Sequence, residues 1–247
     1  MTSDIRAYTT EIAGLGGDPI EVYVAVPDAP TPHGSVVVIH HLPGFDEQTK
    51  EIVRKFAANG YAAAMPNLYS REAPGASADD AAAIARSLGG VPDARLVGDV
   101  GAVAAFLRDL PGSNAKVGVI GYCSGGRQSV LAASSLDLDA AVDCYGAFVV
   151  ADPPSDHPLS SVSSLAPLLA NLSCPLLGLF GAEDKYPSPD QTETLRTILT
   201  ENDKTFEFHT FEGSGHAFFA VERPSYRPES AVAGWNLIWA FFARYLS

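Results

Sequence analysis

The hexapeptide Gly121-Tyr-Cys123-Ser-Gly125-Gly126 holds the side chain best suited to covalent chemistry. The apolar run before it, Lys116 to Tyr122, reads as a strand, and Ser124 to Ala133 reads as the helix that follows. A G-x-C-x-G turn from strand to helix has the pattern of a nucleophile elbow: small residues permit a sharp turn, and the side chain between them is pushed outward. The helix N-terminus behind it favours a thiolate. Two other readings fit the same peptide. The thiol can pack as a small buried hydrophobe, or the glycines can cradle a phosphate, although neither G-x-G-x-x-G nor a following lysine is present. A free thiol is only a few per cent thiolate at neutral pH, so a nucleophile here needs a base or a lowered pKa.

Two further strand ends supply candidates. Gly181-Ala-Glu-Asp184 follows the run Pro175 to Phe180, and Gly213-Ser-Gly215-His216 follows Thr205 to Phe211. Of six histidines, His216 alone has this glycine-flanked place after a strand. Taken singly, Asp184 reads as a turn or N-cap residue and His216 as a hydrogen-bonded core histidine, while Glu183 and Asp190 compete for the acid. Together, Cys123, Asp184 and His216 stand 61 and 32 residues apart in the nucleophile–acid–base order of α/β-hydrolases.

The elements that must carry these residues alternate along the chain. Glu21 to Val26, Ser35 to His40 and Asp139 to Tyr145 read as further strands, the second a continuous β-branched run suited to a buried position, and Tyr61 to Met65 is another short apolar run. Asp46 to Asn59, Pro92 to Leu110, Gln191 to Leu199 and Ser230 to Tyr245 carry helical spacing. Alternation of this kind implies right-handed crossovers and one α/β domain over residues 1–247. Its sheet is mostly parallel and twisted, with helices on both faces and function at the carboxyl ends of the strands.

Composition narrows the partners. A net charge of −13 disfavours nucleic acid and anionic membrane surfaces, so an anionic substrate needs local arginines. No apolar window approaches a membrane span, and the start lacks the basic and apolar regions of a secretory signal. Three widely spaced cysteines, Cys123, Cys144 and Cys174, fit free thiols in a reducing cytoplasm and lack the spacing of a zinc site. Cys144 and Cys174 read as buried and structural.

With these residues assembled, the chain resembles the dienelactone hydrolase family of α/β-hydrolases (carboxymethylenebutenolidases). The likeness runs through Val36 to Gly44, the segment 60–69, Gly121 to Gly126, Leu179 to Asp184 and Gly215 to Phe219. It implies hydrolysis of a small-molecule lactone or ester through an acyl-thioester, without metal or cofactor, by a monomer. Cys123 would be the nucleophile, His216 the base and then the acid, and Asp184 the group orienting His216. The backbone amides of Leu42 and Ser124 would form the oxyanion hole. The family's best-known members carry glutamate where this chain has His41, which supplies no fixed negative charge. His41 would either bond Cys123 or the substrate, or serve structurally at the strand end. Arginine usually meets the substrate carboxylate in the family; here Arg71 and Arg223 are the candidates, each with a surface ion pair as its alternative. Tyr122 and Phe45 are expected to pack near the site, and Ala151 to Ser164 to form a lid or loop over it. Two other functions stay open: a broad carboxylesterase or thioesterase, and a binding protein on a hydrolase scaffold.

Overall fold

The computed structural model describes residues 4–28, 33–41, 44–157 and 161–247. Eight strands are present: β1 (Ile5–Ala13), β2 (Pro19–Pro27), β3 (His33–Ile39), β4 (Ala62–Pro66), β5 (Ser113–Tyr122), β6 (Ala140–Cys144), β7 (Leu176–Gly181) and β8 (Phe206–Phe211). They form one sheet in the order β1-β2-β4-β3-β5-β6-β7-β8. β3 pairs with β4 in parallel, as do β6 with β7 and β7 with β8. β2 runs antiparallel to both β1 and β4. The helices are α1 (Glu47–Ala58), α2 (Ala78–Ser87), α3 (Asp93–Arg108), α4 (Ser124–Ala133), α5 (Pro189–Glu201) and α6 (Pro228–Tyr245). None of them is long and apolar enough to cross a membrane, among the described residues.

By contact density the chain divides into two compact units, Met1–Val119 with Leu246–Ser247, and Ile120–Tyr245. In the first, α1 packs on β2 and β4, and α3 on β3 and β4. The helices bury Val53 and Phe56 from α1 and Leu96, Val100, Val103 and Leu107 from α3. Each such side chain contributes roughly 1.5–3 kcal/mol by leaving water. In the second, α4 packs on β6, while α6 packs on β6 and β7 and buries Ile238, Phe241 and Phe242. Ser188 and Gln191 close a reciprocal capping box at the start of α5, which fixes where the loop after β7 must end.

Two elements lie outside the sequence reading. β1 is an edge strand with alternating exposure, so its stability comes from nine-residue pairing with β2 rather than from an apolar run. The hairpin turns through Gly16 and Gly17, at φ 72° and 85°. α2 buries only alanines, Ala81, Ala82 and Ala85, which are too small to make a periodic stripe. Its signal was the N-cap, Ser77, whose hydroxyl oxygen accepts the Asp80 amide.

Candidate active site

β5 ends at Tyr122 and α4 begins at Ser124, so Cys123 makes the turn alone, at φ 57° and ψ −120°. A non-glycine residue in such a conformation costs on the order of 1–3 kcal/mol and persists only where its surroundings hold it. Here the Cys123 amide donates to the Cys144 carbonyl at 3.0 Å. The Cys123 carbonyl accepts from the Gly126 and Arg127 amides at 3.0 and 3.3 Å. The glycines are steric necessities. A Cβ on Gly121 would sit 1.9 Å from the Gly125 carbonyl oxygen, and one on Gly126 would sit 2.4 Å from Asp143 Oδ1. At the start of α4 the Ser124 amide has no acceptor within the helix, which suits it to meet an anion.

The acid and the histidine come from the ends of β7 and β8. Asp184 is buried; its Oδ1 accepts the Tyr186 amide at 2.9 Å, and its Oδ2 meets His216 Nδ1 at 2.8 Å. A Cβ on Gly181 would strike the Ser214 carbonyl at 2.4 Å, and the Glu183 amide donates to that same carbonyl at 2.9 Å. The two loops are thereby locked together. Arg227 Nε donates to the Gly213 carbonyl at 3.0 Å and steadies the His216 turn from its other side. The Cys123 thiol hydrogen-bonds the imidazole whose Nδ1 is taken by Asp184. Burial opposes charge on this ring, but the Asp184 carboxylate and the Cys123 sulfur outweigh it and push the His216 pKa up to about 10.

Cys123 is partly exposed and the other two thiols are buried. Burial pushes Cys144 well above the ordinary thiol range and Cys174 up to about 12, so neither competes as a thiolate. Glu183 and Asp190 are both exposed and do not hold His216.

Other expected site residues have different settings. His41 Nε2 lies 3.1 Å from Asp46 Oδ2, and Asp46 also caps α1 by accepting the Thr49 amide at 2.8 Å. Although burial opposes it, the bond from His41 and those from Thr49 bring Asp46 down to about 2. Its neighbour His40 is a core histidine: burial lowers it to about 4, and its neutral Nε2 accepts the Leu68 amide at 3.2 Å. Arg71 forks onto Asp99 at 2.6 and 2.9 Å and reaches Asp18 at 3.2 Å. Asp99 is buried, so a bidentate partner compensates its charge; this is the ion-pair setting that stood as the alternative to a substrate contact for Arg71. Arg223 lies exposed on the turn after His216, and its charge bears on Tyr145. Phe45 packs under the Lys50 ammonium, 4.7 Å from the ring centroid. Leu42 lies outside the described residues, as do Pro158, Leu159 and Ser160 of the expected lid. The end of that segment is tied down, with the Ser163 carbonyl accepting from Arg127 at 2.7 Å and the Ser164 hydroxyl donating to Val149 at 3.2 Å.

Two residues at the end of β6 went unnoticed in the sequence. Tyr145, at φ 47°, presents its ring edge-on to His216 with centroids 5.1 Å apart. Tyr122, Phe218 and Phe219 surround that ring and extend the cluster to Trp235. Asp143, two residues before Tyr145, is fully buried. Both were hidden inside what reads as an ordinary buried strand.

The dienelactone hydrolase family model matches residues 20–246. The chain belongs to the dienelactone hydrolase family. Among its relatives is a protein of Escherichia coli K12 named "Putative carboxymethylenebutenolidase", 33% identical over 93% of this chain and 84% of that protein. A Bradyrhizobium protein named "Probable 2-oxo-3-(5-oxofuran-2-ylidene)propanoate lactonase" is 25% identical over 90% of this chain and 88% of its own. A crystal structure titled as a "Putative Dienelactone Hydrolase" from Klebsiella pneumoniae superposes with a TM-score of 0.86. It is 32% identical and covers 98% of this chain and 100% of that one. The sheet order and this superposition establish the α/β-hydrolase fold, and family membership makes the chain a hydrolase of esters or lactones.

Proposed function

We propose that this dienelactone hydrolase family member opens a lactone or cleaves a carboxylic ester by covalent catalysis at Cys123, residues 1–247 working as one domain. The observation that carries this reading is the placement of the His216 imidazole between the Asp184 carboxylate at 2.8 Å and the Cys123 thiol. Thiolate Cys123 attacks the carbonyl carbon, and the charge that develops on oxygen is met by the Ser124 amide at the N-terminus of α4. The tetrahedral adduct collapses with cleavage of the C–O bond. His216, which holds its proton at neutral pH, delivers it to the leaving oxygen. In a lactone that oxygen stays tethered, so the product of this half-reaction is an open-chain acyl-thioester.

The now neutral His216 takes a proton from water, the resulting hydroxide attacks the thioester, and the thiolate leaves as the carboxylic acid forms. Asp184 keeps the proton-bearing nitrogen of His216 oriented and stabilises the imidazolium through both steps. A thiolate leaves a tetrahedral adduct more readily than an unprotonated amine does, so an acyl group with a good leaving oxygen asks least of His216. Lactones and esters with acidic leaving oxygens suit it best.

Purified protein assayed on a dienelactone and on p-nitrophenyl acetate, with Cys123→Ala as the comparison, tests this. Cys123-dependent turnover of the dienelactone is expected. Turnover of the simple ester alone would assign a general esterase, and undiminished activity of Cys123→Ala would reject the mechanism.

A further inference from the structure

Two hydrogen bonds hold the His216 imidazole by its nitrogens, one to Asp184 at 2.8 Å and one to the Cys123 thiol. Such bonds fix the line between the nitrogens and leave the ring free to rock about it. A further contact is needed to set the ring plane. Tyr145 makes one: the two ring centroids lie 5.1 Å apart at an interplanar angle of 65°. That is the T-shaped arrangement which aromatic pairs favour.

Tyr145 is itself held from several sides. It is buried, and its amide donates to the Leu179 carbonyl at 3.0 Å. The following amide, of Gly146, donates to Asp143 Oδ1 at 2.6 Å, while Oδ2 of that carboxyl has no partner. The rings of Phe218 and Tyr122 stand 5.3 and 6.3 Å from the Tyr145 ring. The Tyr145 hydroxyl accepts the Phe219 amide, and the Phe219 ring sits over α6, where a Cβ on Gly234 would meet it at 2.4 Å. Tyr145 therefore touches the turn from His216 to Phe219 at both of its ends. The backbone carries a second sign. Tyr145 has φ 47°, and Ala217, next to His216, has φ 63°. A bulky aromatic residue is uncommon in that region, and such conformations gather at functional sites. Glycine would make the same turn without strain, but it brings neither the ring nor the hydroxyl.

Resting on the catalytic assignment above, we propose that Tyr145 is a positioning residue for His216: its ring sets the plane of the imidazole, and its hydroxyl hooks the far end of the turn that carries the histidine. The ring is the larger part of this role, because it touches the imidazole directly. The hydroxyl acts on His216 only through the three residues that follow it.

Tyr145→Leu and Tyr145→Phe compared with wild type test this, by steady-state hydrolysis of p-nitrophenyl acetate at pH 8 with near-ultraviolet circular dichroism to confirm the fold. Tyr145→Leu should lower kcat at least about tenfold with KM within about twofold of wild type, since a small misplacement of a catalytic group is enough for such a loss. Tyr145→Phe, which keeps the ring, should hold kcat within about threefold of wild type. A folded Tyr145→Leu with kcat within threefold of wild type overturns the proposal, as does a Tyr145→Phe that falls as far as Tyr145→Leu.

A packing role alone would leave the Asp184–His216 bond in place, so the His216 Nδ1 proton is followed by NMR of 15N-histidine-labelled protein and assigned from its absence in His216→Gln. It should persist in Tyr145→Phe and be lost to solvent exchange in Tyr145→Leu; an unchanged signal in Tyr145→Leu overturns the proposal. Alkylation by iodoacetamide in wild type checks the underlying assignment separately. If Cys123 reacts no faster than Cys144 and Cys174, the catalytic reading fails and the positioning role falls with it. Should Tyr145→Leu not fold, 13C relaxation of the His216 ring in wild type decides. An order parameter of about 0.85 with cross-relaxation to tyrosine ring protons is expected, and one below about 0.6 overturns the role.

Discussion

Replacing Asp184 by asparagine changes one atom and should disable His216 in a calculable way. Asp184 Oδ1 accepts the Tyr186 amide at 2.9 Å, and Oδ2 faces His216 Nδ1 at 2.8 Å. In Asp184→Asn the backbone amide retains the carbonyl oxygen, which turns the new NH2 toward Nδ1. That nitrogen must then accept, so the ring proton moves to Nε2 and the neutral ring cannot take a proton there. The charge term is lost as well. His216 stands about 3.5 units above its ordinary value of 6.5, worth nearly 5 kcal/mol if unscreened, a gain that Asp184 shares with Cys123. Its side chain is 35% exposed, so solvent screening leaves roughly 2 kcal/mol, or about 30-fold in rate.

The wrong tautomer adds to this, and the combined fall in kcat should be about 10³–10⁴-fold with KM little changed. Steady-state hydrolysis of p-nitrophenyl acetate from pH 6 to 9 measures it, with circular dichroism to confirm the fold. Activity within threefold of wild type would refute the argument that Asp184 governs the histidine.

Further outcomes follow from the same geometry. Gly121→Ala puts a Cβ 1.9 Å from the Gly125 carbonyl, so thermal unfolding should show a loss of at least about 3 kcal/mol or no folded protein at all. Arg71→Met strands the buried Asp99 carboxylate and should cost about 3–5 kcal/mol, read by urea unfolding, while KM for a carboxylate-bearing lactone stays unchanged. A tenfold rise in KM with stability intact would return Arg71 to the substrate. The folded pKa of Asp143 lies about 3 units above its ordinary value, so folded protein binds the extra proton and stability is lost as pH rises from about 4 through 7. Asp143→Asn removes that loss, offset by about 1–3 kcal/mol for an unpaired amide N–H. Its stability relative to wild type should therefore be higher at pH 8 than at pH 4, measured by calorimetry at both. Activity should also decline as pH rises through about 10, where His216 loses its proton.

The candidate site was legible where chemistry and backbone geometry demand particular residue types. Cys123 between glycines, Asp184 after β7 and His216 after β8 each sit at a strand end, and the glycines that mark them are required by approaches under 2.5 Å at Gly121 and Gly181. Strands such as β3 were legible because burial on both faces leaves no alternation, only a β-branched run. β1 and α2 were not, since edge pairing and alanine packing leave no apolar period. Arg71 stood open between a substrate contact and an ion pair because sequence shows a cation but not its partner: Asp99, 28 residues on, is brought to it by folding. Asp143 was invisible for the related reason that a carboxyl inside a strand run shows neither its burial nor the Gly146 amide it accepts. His41 belongs with these, its partner Asp46 being five residues away yet settled only by how the loop turns into α1.

The measurement closest to the central claim is mass spectrometry of the enzyme quenched in acid within the first turnovers on p-nitrophenyl acetate or a dienelactone. An acyl group on the Cys123 peptide, removed by neutral hydroxylamine and lost in Cys123→Ala, is the predicted result. Turnover without an adduct at Cys123, or with the acyl group on another residue, would contradict it.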